Sequence, residues 1–157
     1  MILTAFLLAA SSPSIVAARA QWAAVDRGAH CDAVSRSLLQ APKGQIQPFA
    51  SIAFDRSGPR KGELAIRFKR PVREGSSVVL TVGDQPFQLV ARGNVAWSRG
   101  ASQEAAILAA MRTATMMKAD ARDAGGRRMV DRYALAGAPT AIDAAAACAA
   151  QVSGRPR

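Results

Sequence analysis

The chain is poor in the residue types that most often carry out chemistry. Its 157 residues include one histidine, two cysteines and one tyrosine, and 5% of them are aromatic. A structural zinc site takes four Cys or His ligands, so three such residues cannot supply it. The sequence also lacks a glycine-rich phosphate loop and the HExxH and GxSxG patterns. We therefore predict no catalytic residues, no metal site and no cofactor.

The single histidine, His30, stands directly before Cys31, which suggests a thiol nucleophile with an adjacent base. Neighbouring residues of a strand point to opposite faces, however, and a catalytic Cys–His pair is normally distant in sequence. We expect an exposed histidine and a cysteine that forms a disulfide. The alternative is an enzyme: a thiol-active protein with a free Cys31, or an envelope hydrolase whose carboxylate pair is assembled by folding.

Acidic residues are scarce as well, because 11 Asp and Glu stand against 21 Lys and Arg, a formal net charge of +10. This excess favours an anionic partner. Two concentrations of basic residues predict an anionic-ligand patch, provided that their hairpins point the same way: Arg56, Arg60 and Lys61, and then Arg127, Arg128 and Arg132. Lys69, Arg70 and Arg73 form a third concentration. The alternative interpretation is a solvated rim that holds no ligand.

Aromatic residues do not alternate with the basic ones, as they do on surfaces that bind single-stranded nucleic acid. The five phenylalanines and two tryptophans lie mostly at positions typical of a strand core. We therefore predict that nucleic acid is not a partner.

Long apolar runs are absent, and the longest near the N-terminus, residues 2–10, is too short to span a bilayer. It is followed by Ser-Ser-Pro and then by alanines at positions 18 and 20, the pattern of a signal peptide cleaved before Gln21. No Lys or Arg precedes the run. We predict a signal peptide over residues 1–20, a single β-rich domain over 21–152 and a disordered tail over 153–157. The mature protein would be periplasmic or secreted, without a stable membrane span.

Export gives a meaning to the two cysteines, Cys31 and Cys148. In an oxidising compartment the only two cysteines of a protein normally form one disulfide. Such a bond would tie the first structured segment to the last, and closing so long a loop stabilises by about 4 to 5 kcal/mol in the chain-entropy model. The alternative is two buried free thiols.

The patterning of the remaining chain is mainly that of strands joined by turns. Alternating or β-branched segments at 49–55 and 63–69, 77–82 and 86–92, and two segments flanking the glycines at 125–126 predict three hairpins. Residues 22–34 are mixed in pattern and suggest a short strand followed by a helical turn. Helices are predicted over 103–112, with Ser102 as the N-cap, and from Gly137-Ala138-Pro139 with the proline in the first turn, where Cys148 shares a face with two alanines.

The fold class that follows is mainly β with two helices (α+β). We predict five to seven strands in an antiparallel β-sandwich or bent sheet built of hairpins, with the C-terminal helix packed on it.

The C-terminal third carries a resemblance to a known family. The stretch EAAILAAMRTATMMKADARD is followed by YALAGAPTAIDAAAAC, in which an aromatic-x-Leu-x-Gly step enters an alanine-rich helix. The matching positions are Tyr133, Leu135 and Gly137, followed by Ala141 and Ile142. Over residues 100–150 this resembles the invasion-associated locus B proteins of alphaproteobacteria. Residues 41–62 depart from the family's N-terminal half, and Ala138 stands where the family tends to have an aromatic.

This resemblance implies a small secreted or periplasmic β-rich protein linked to envelope stress or host contact, with no catalytic residues to carry over. Together with the composition, it predicts a non-enzymatic protein that binds an envelope component or a protein partner, of anionic character if the basic residues form one surface.

Overall fold

Ten strands in one sheet and two helices make up residues 12–151, the part of the chain that the structure, a computed structural model, describes. In chain order the elements are β1 (Ser14–Arg19), β2 (Trp22–Asp26), β3 (His30–Arg36), β4 (Phe49–Asp55), β5 (Lys61–Arg67), β6 (Val78–Val82), β7 (Gln85–Arg92), β8 (Val95–Trp97), α1 (Ala101–Thr113), β9 (Met116–Arg122), β10 (Arg128–Ala134) and α2 (Ala138–Ala150).

The strands follow the order β1-β2-β3-β4-β5-β8-β7-β6-β9-β10, and each neighbouring pair is antiparallel. After β5 the chain crosses the ends of β8 and β7 before it enters β6. Residues 68–77 form this crossing segment. Three backbone hydrogen bonds hold it, from Phe68 N to Asn94 O, Val72 N to Gly93 O and Arg73 N to Arg122 O. The segment therefore joins the β7–β8 turn to the end of β9.

Both helices lie on one face of the sheet, its inner face. Ala33, Ile52 and Leu64 are in direct register across the central strands there and are fully buried. α2 covers β1 to β4, and α1 covers β5 to β7. The buried face of α2 is mostly alanine, so the helix can approach the strands closely. The core lies between this face of the sheet and the helices.

The sheet curls, so that its last strand meets the connection that follows β3. The Trp22 indole Nε1–H donates to Ala134 O at 2.8 Å, and Leu38 N–H donates to Arg132 O at 2.8 Å. The Ser37 hydroxyl donates to the buried Asp131 carboxylate at 2.9 Å. These contacts bring β10 beside the segment that connects β3 to β4.

The predicted fold class is confirmed: an antiparallel, mainly β sheet with two helices and a C-terminal helix packed on it. The three predicted hairpins correspond to β4–β5, β6–β7 and β9–β10. Cys148 lies on the buried face of α2, as its spacing predicted.

Three local predictions were wrong. The helical turn expected within residues 22–34 is the turn between β2 and β3, where Gly28 takes a positive φ of 86° and donates its N–H to the Asp26 side chain. Ser102 does not cap α1, which begins after Gly100 without a side-chain cap. The described residues hold ten strands rather than five to seven, because β1, β3 and the three-residue β8 went unrecognised.

β1 lies within the segment predicted to be a signal peptide. The predicted cleavage position, before Gln21, falls in the turn between β1 and β2, where Ala20 has a φ of 52°. β1 also touches the start of α2, since a Cβ at Gly137 would collide with the carbonyl oxygen of Arg19. Residues 1–11 of the signal-peptide prediction, residue 152 of the domain and the tail at 153–157 lie outside the described residues, and these boundaries stay predictions.

Candidate functional site

The two cysteines form the predicted disulfide, which joins the inner face of β3 to α2. Cys31 is fully buried and Cys148 is 4% exposed. Asp26 lies near both sulfurs, with the three ligand atoms within 4.8 Å of one another. Because both sulfurs are bonded to each other, neither is a thiolate that could hold a metal. Neither is the free thiol that the thiol-active alternative requires.

Arg56, a member of the predicted patch, forms hydrogen bonds with other residues of the protein. Its guanidinium donates to Gly28 O, Cys148 O, Gln151 O and the Asp26 carboxylate at 2.7 to 2.8 Å. The hydrogen bond from Gly28 N–H, together with this guanidinium, lowers the pKa of Asp26. Arg56 therefore joins the β2–β3 turn to the C-terminal end of α2, where it satisfies carbonyls that the helix leaves open.

Arg60 and Lys61 are also engaged with a neighbour. Arg60 binds the Asp55 carboxylate at 2.7 Å, and Lys61 Nζ donates to Asp55 O at 3.0 Å. The hydrogen bond from Arg60 lowers the pKa of Asp55. This half of the predicted patch closes the β4–β5 turn, where Arg56 and Arg60 each pair with a carboxylate and Lys61 binds a backbone carbonyl. We call this region the paired end of the sheet; its charged residues are Asp26, Arg27, Asp32, Asp55, Arg56, Arg60, Lys61, Glu63, Arg99 and Glu104.

The other half of the predicted patch lies on the β9–β10 hairpin. Arg127 is in the turn with its side chain 78% exposed, and Arg128 binds Asp120 at 2.6 Å on β9. The β9–β10 turn contacts the crossing segment, because Arg70 Nε donates to Asp123 at 2.8 Å. The two halves therefore lie near opposite ends of β5, about 20 Å apart for seven residues of strand. They do not form one patch.

The structure instead gathers basic residues at the end of the sheet where β3, β5 and β7 finish. The β3–β4 connection, the crossing segment and the β7–β8 and β9–β10 turns all lie at this end. We call it the basic end, and its cations are Arg36, Lys43, Arg67, Lys69, Arg70, Arg73, Arg92, Arg122 and Arg127. The carboxyl groups there are Glu74, Asp123 and Asp131.

Most of these cations have no carboxylate partner within the described residues. Arg70 and Arg127 share Asp123, whereas the other seven make no ion pair. Burial raises the pKa of Asp131, and its carboxylate accepts a hydrogen bond from the Ser37 hydroxyl. The basic end therefore carries a strong excess of unpaired positive charge.

A row of alternating residues crosses the outer face of the sheet at this end. Register pairs Arg36 with Phe49, Phe49 with Arg67, Arg67 with Val95 and Val95 with Arg92. The Arg67 guanidinium lies 5.7 Å from the centre of the Phe49 ring, a cation–π contact. Arg36, Arg67 and Arg92 stand on every second strand, so about 10 Å separates one from the next.

A shallow cavity opens beside the end of this row. Its volume is about 590 Å³, and its lining includes Arg73, Ser76 and Arg92. Guanidinium groups can bind phosphate or carboxylate groups through two parallel hydrogen bonds; the carboxyl group of Glu74 lines the same cavity.

Sequence reasoning missed Arg36, Arg67 and Arg92, because they are far apart in the chain. One signal was available: each is the last residue of its strand. Strands that alternate in an antiparallel sheet bring every second strand end to the same edge. The third basic concentration, Lys69, Arg70 and Arg73, belongs to this same end.

His30 and Asp32 lie together on the outer face of β3, away from the inward Cys31. His30 Nε2 is 3.3 Å from Asp32 Oδ1, while Arg27 binds the other carboxylate oxygen at 2.6 Å. Adjacent His30 and Cys31 thus diverge, as their spacing predicted.

One carboxyl group bears on the hydrolase alternative. Burial raises the pKa of Glu63 on β5, and the carboxylates of Glu104 and Asp55 raise it further against the opposing effect of Arg60. Raised carboxyl pKa values occur in hydrolase sites and also in structural charge clusters. The hydrolase alternative stays a prediction.

Comparisons with protein-family models, with curated proteins and with solved structures found no match for this chain. The resemblance to the invasion-associated locus B proteins therefore stays a prediction. Among the described residues, neither helix combines the length and the apolar character needed to cross a membrane.

Proposed function

We propose that the protein is an exported, non-enzymatic binding protein that holds an anionic component of the cell envelope at the basic end. The Cys31–Cys148 disulfide supports export, because disulfides persist in oxidising compartments. The predicted signal peptide and the family resemblance point to the same compartment.

The observation that carries the binding proposal is a set of seven cations at the basic end that have no carboxylate partner among residues 12–151. Unpaired guanidinium groups on one surface attract phosphates and carboxylates over a distance of about a Debye length and bind them in bidentate geometry at contact. The paired end has five Lys and Arg and five carboxylates, so its charges balance, whereas the basic end has nine Lys and Arg and three carboxylates. The ligand is therefore expected at one end of the molecule.

The test compares two charge-reversed variants of equal net charge on a heparin column. Arg36→Glu/Arg67→Glu changes the basic end, and Lys61→Glu/Arg99→Glu changes the paired end by the same four units. We expect wild type to be retained, the first variant to elute at clearly lower salt, and the second to elute close to wild type. Equal shifts for the two variants would mean that net charge alone causes retention, and the proposal would fail.

A further inference from the structure

The connection between β3 and β4, residues 37–48, carries three exposed aliphatic side chains. Leu38 is 48% exposed, Leu39 63% and Ile46 49%. Single exposed aliphatics are ordinary. Three of them in one surface connection expose more apolar surface than is usual for a loop, because most loops are polar. None of the three belongs to the buried core.

The connection is held in this arrangement by internal hydrogen bonds. The Gln47 side-chain oxygen accepts from Ala41 N–H at 2.8 Å, and its amide nitrogen donates to the carbonyls of Ser37, Leu39 and Pro48 at 3.2 to 3.3 Å. The tip is a turn closed from Gln45 N to Pro42 O, with Gly44 at a φ of 85°. Leu38 N–H is fixed on Arg132 O. The aliphatic side chains are therefore carried by a loop whose conformation is fixed by hydrogen bonds.

Basic residues surround the loop. Arg36 immediately precedes it, Lys43 lies at its tip, and Arg67 is in register with Phe49 just beyond it. Arg132 is brought beside Leu38 by the backbone hydrogen bond. None of these four side chains forms an ion pair within residues 12–151. At the base of the loop Arg36, Ser37, Gln40 and Gln47 are among the residues that line a cavity of about 700 Å³.

Exposed aliphatic side chains on one loop, with basic residues at its start, at its tip and beside it, match the apolar and the phosphate regions of an acidic bilayer surface. The apolar groups enter the boundary between headgroups and acyl chains, and the cations remain at the level of the phosphates. A soluble polyanion would need the cations but not Leu38, Leu39 and Ile46. Nucleic acid would also be expected to use aromatic stacking, which this loop does not offer.

We propose that the 37–48 loop docks the protein onto an acidic phospholipid surface. Leu38, Leu39 and Ile46 insert beneath the phosphates, and Arg36, Lys43, Arg67 and Arg132 bind them. This inference rests on the proposed anion-binding function, and it names lipid phosphate as the anion and the bilayer surface as the partner.

The test uses sedimentation of the full chain with vesicles of phosphatidylcholine alone, or with part of it replaced by phosphatidylglycerol. We expect wild type to bind the acidic vesicles and not the neutral ones. Leu39→Ser/Ile46→Ser should weaken binding to acidic vesicles about tenfold or more, since two apolar side chains lose their burial. The matched control, Ile15→Ser/Met116→Ser, removes two exposed apolar side chains that lie outside the loop and should bind as wild type does.

The heparin column separates the two proposals. Leu39→Ser/Ile46→Ser keeps every charge, so it should elute with wild type while it fails on vesicles. If wild type is retained by heparin through the basic end but ignores acidic vesicles, the lipid inference is wrong and anion binding stands. If the loop variant binds acidic vesicles as tightly as its control, insertion is wrong. If wild type binds neither heparin nor acidic vesicles, the proposed function and the lipid inference are both wrong.

Discussion

Tyr133, the single tyrosine of the chain, is fully buried on the inner face of β10. Its hydroxyl has no hydrogen-bond partner among the described residues. Burial raises the pKa of this hydroxyl far above its ordinary value, and the Asp131 carboxyl adds to the effect. A buried hydroxyl without a partner loses its hydration and gains nothing in return. The ring of Tyr133 therefore stabilises the core, while its oxygen opposes folding.

We expect Tyr133→Phe to leave the free energy of unfolding unchanged or to raise it by up to about 1 kcal/mol, since the variant keeps the ring and removes the unpaired oxygen. Urea denaturation of both proteins measures the difference. Tyr133→Ala should lower the stability by about 3 to 5 kcal/mol, because it leaves a cavity. A loss of stability in the phenylalanine variant would show that the hydroxyl has a partner, such as a buried water.

Single residues also show what the sequence could and could not reveal about the site. The basic residues are plain in the sequence, but their pairing depends on strand order. Arg56 meets Asp26 across 30 residues of chain and Arg70 meets Asp123 across 53. Local spacing identified Arg56 and Arg60 as free charges, and the folded chain uses both inside the protein. Arg36 went unnoticed because no other basic residue is near it in the chain, and Arg67 because it fitted the polar face of an alternating strand.

Among the elements, the β9–β10 hairpin has a turn that is held by hydrogen bonds within the turn and by an ion pair with the crossing segment. Asp123 accepts hydrogen bonds from Gly125 N–H at 3.0 Å and Arg127 N–H at 2.8 Å, and it binds Arg70 of the crossing segment. The hydrogen bond from Arg127 N–H is the largest effect that lowers the pKa of Asp123. One carboxylate therefore shapes the turn and attaches it to a segment 53 residues away.

We expect Asp123→Asn to lower stability at neutral pH, because the amide keeps an acceptor but loses the charge that binds Arg70 and Arg127. Since folding lowers the pKa of Asp123, its contribution is present above the ordinary carboxyl pKa and is lost as the pH falls through the lowered value. The difference between wild type and variant should therefore shrink in acid. Thermal denaturation at several pH values tests this, and a difference that is constant with pH would contradict it.

The elements that were predicted correctly from sequence are those whose pattern is local. The β4–β5, β6–β7 and β9–β10 hairpins each have alternating or β-branched segments on both sides of a glycine-containing turn. β8 has three residues, too few for a periodicity to be visible, and it exists because β5 and β7 pair with it. β1 went unrecognised because its residues fit the pattern of a leader. Strand order, with its crossing after β5, has no local signature.

At the scale of the molecule, one covalent bond and one helix hold the first half of the chain to the end. The disulfide joins β3 to α2 across 117 residues, and α2 covers β1 to β4. Arg56 adds hydrogen bonds from the β4–β5 turn to the carbonyls at the end of the same helix.

We expect reduction of the Cys31–Cys148 bond to lower the free energy of unfolding by up to about 4 to 5 kcal/mol, because the unfolded chain regains the freedom of a very long loop. Urea denaturation with and without reductant measures the loss. Cys31→Ala/Cys148→Ala should be indifferent to reductant. If reductant leaves the wild-type transition unchanged, the bond is absent in solution.

The placement of α2 also has a consequence for the order of events during synthesis. A chain made from its N-terminus produces β1 to β4 long before the helix that covers them, and Cys31 is made long before Cys148. Until the last turns of α2 have been made, the inner face of the early strands is not covered by this helix, and Cys31 is a free thiol. The packing of β1 to β4 against α2 is therefore completed only at the end of synthesis. Cys31 remains a free thiol, able to exchange with a disulfide of another molecule, until almost the whole chain has been made.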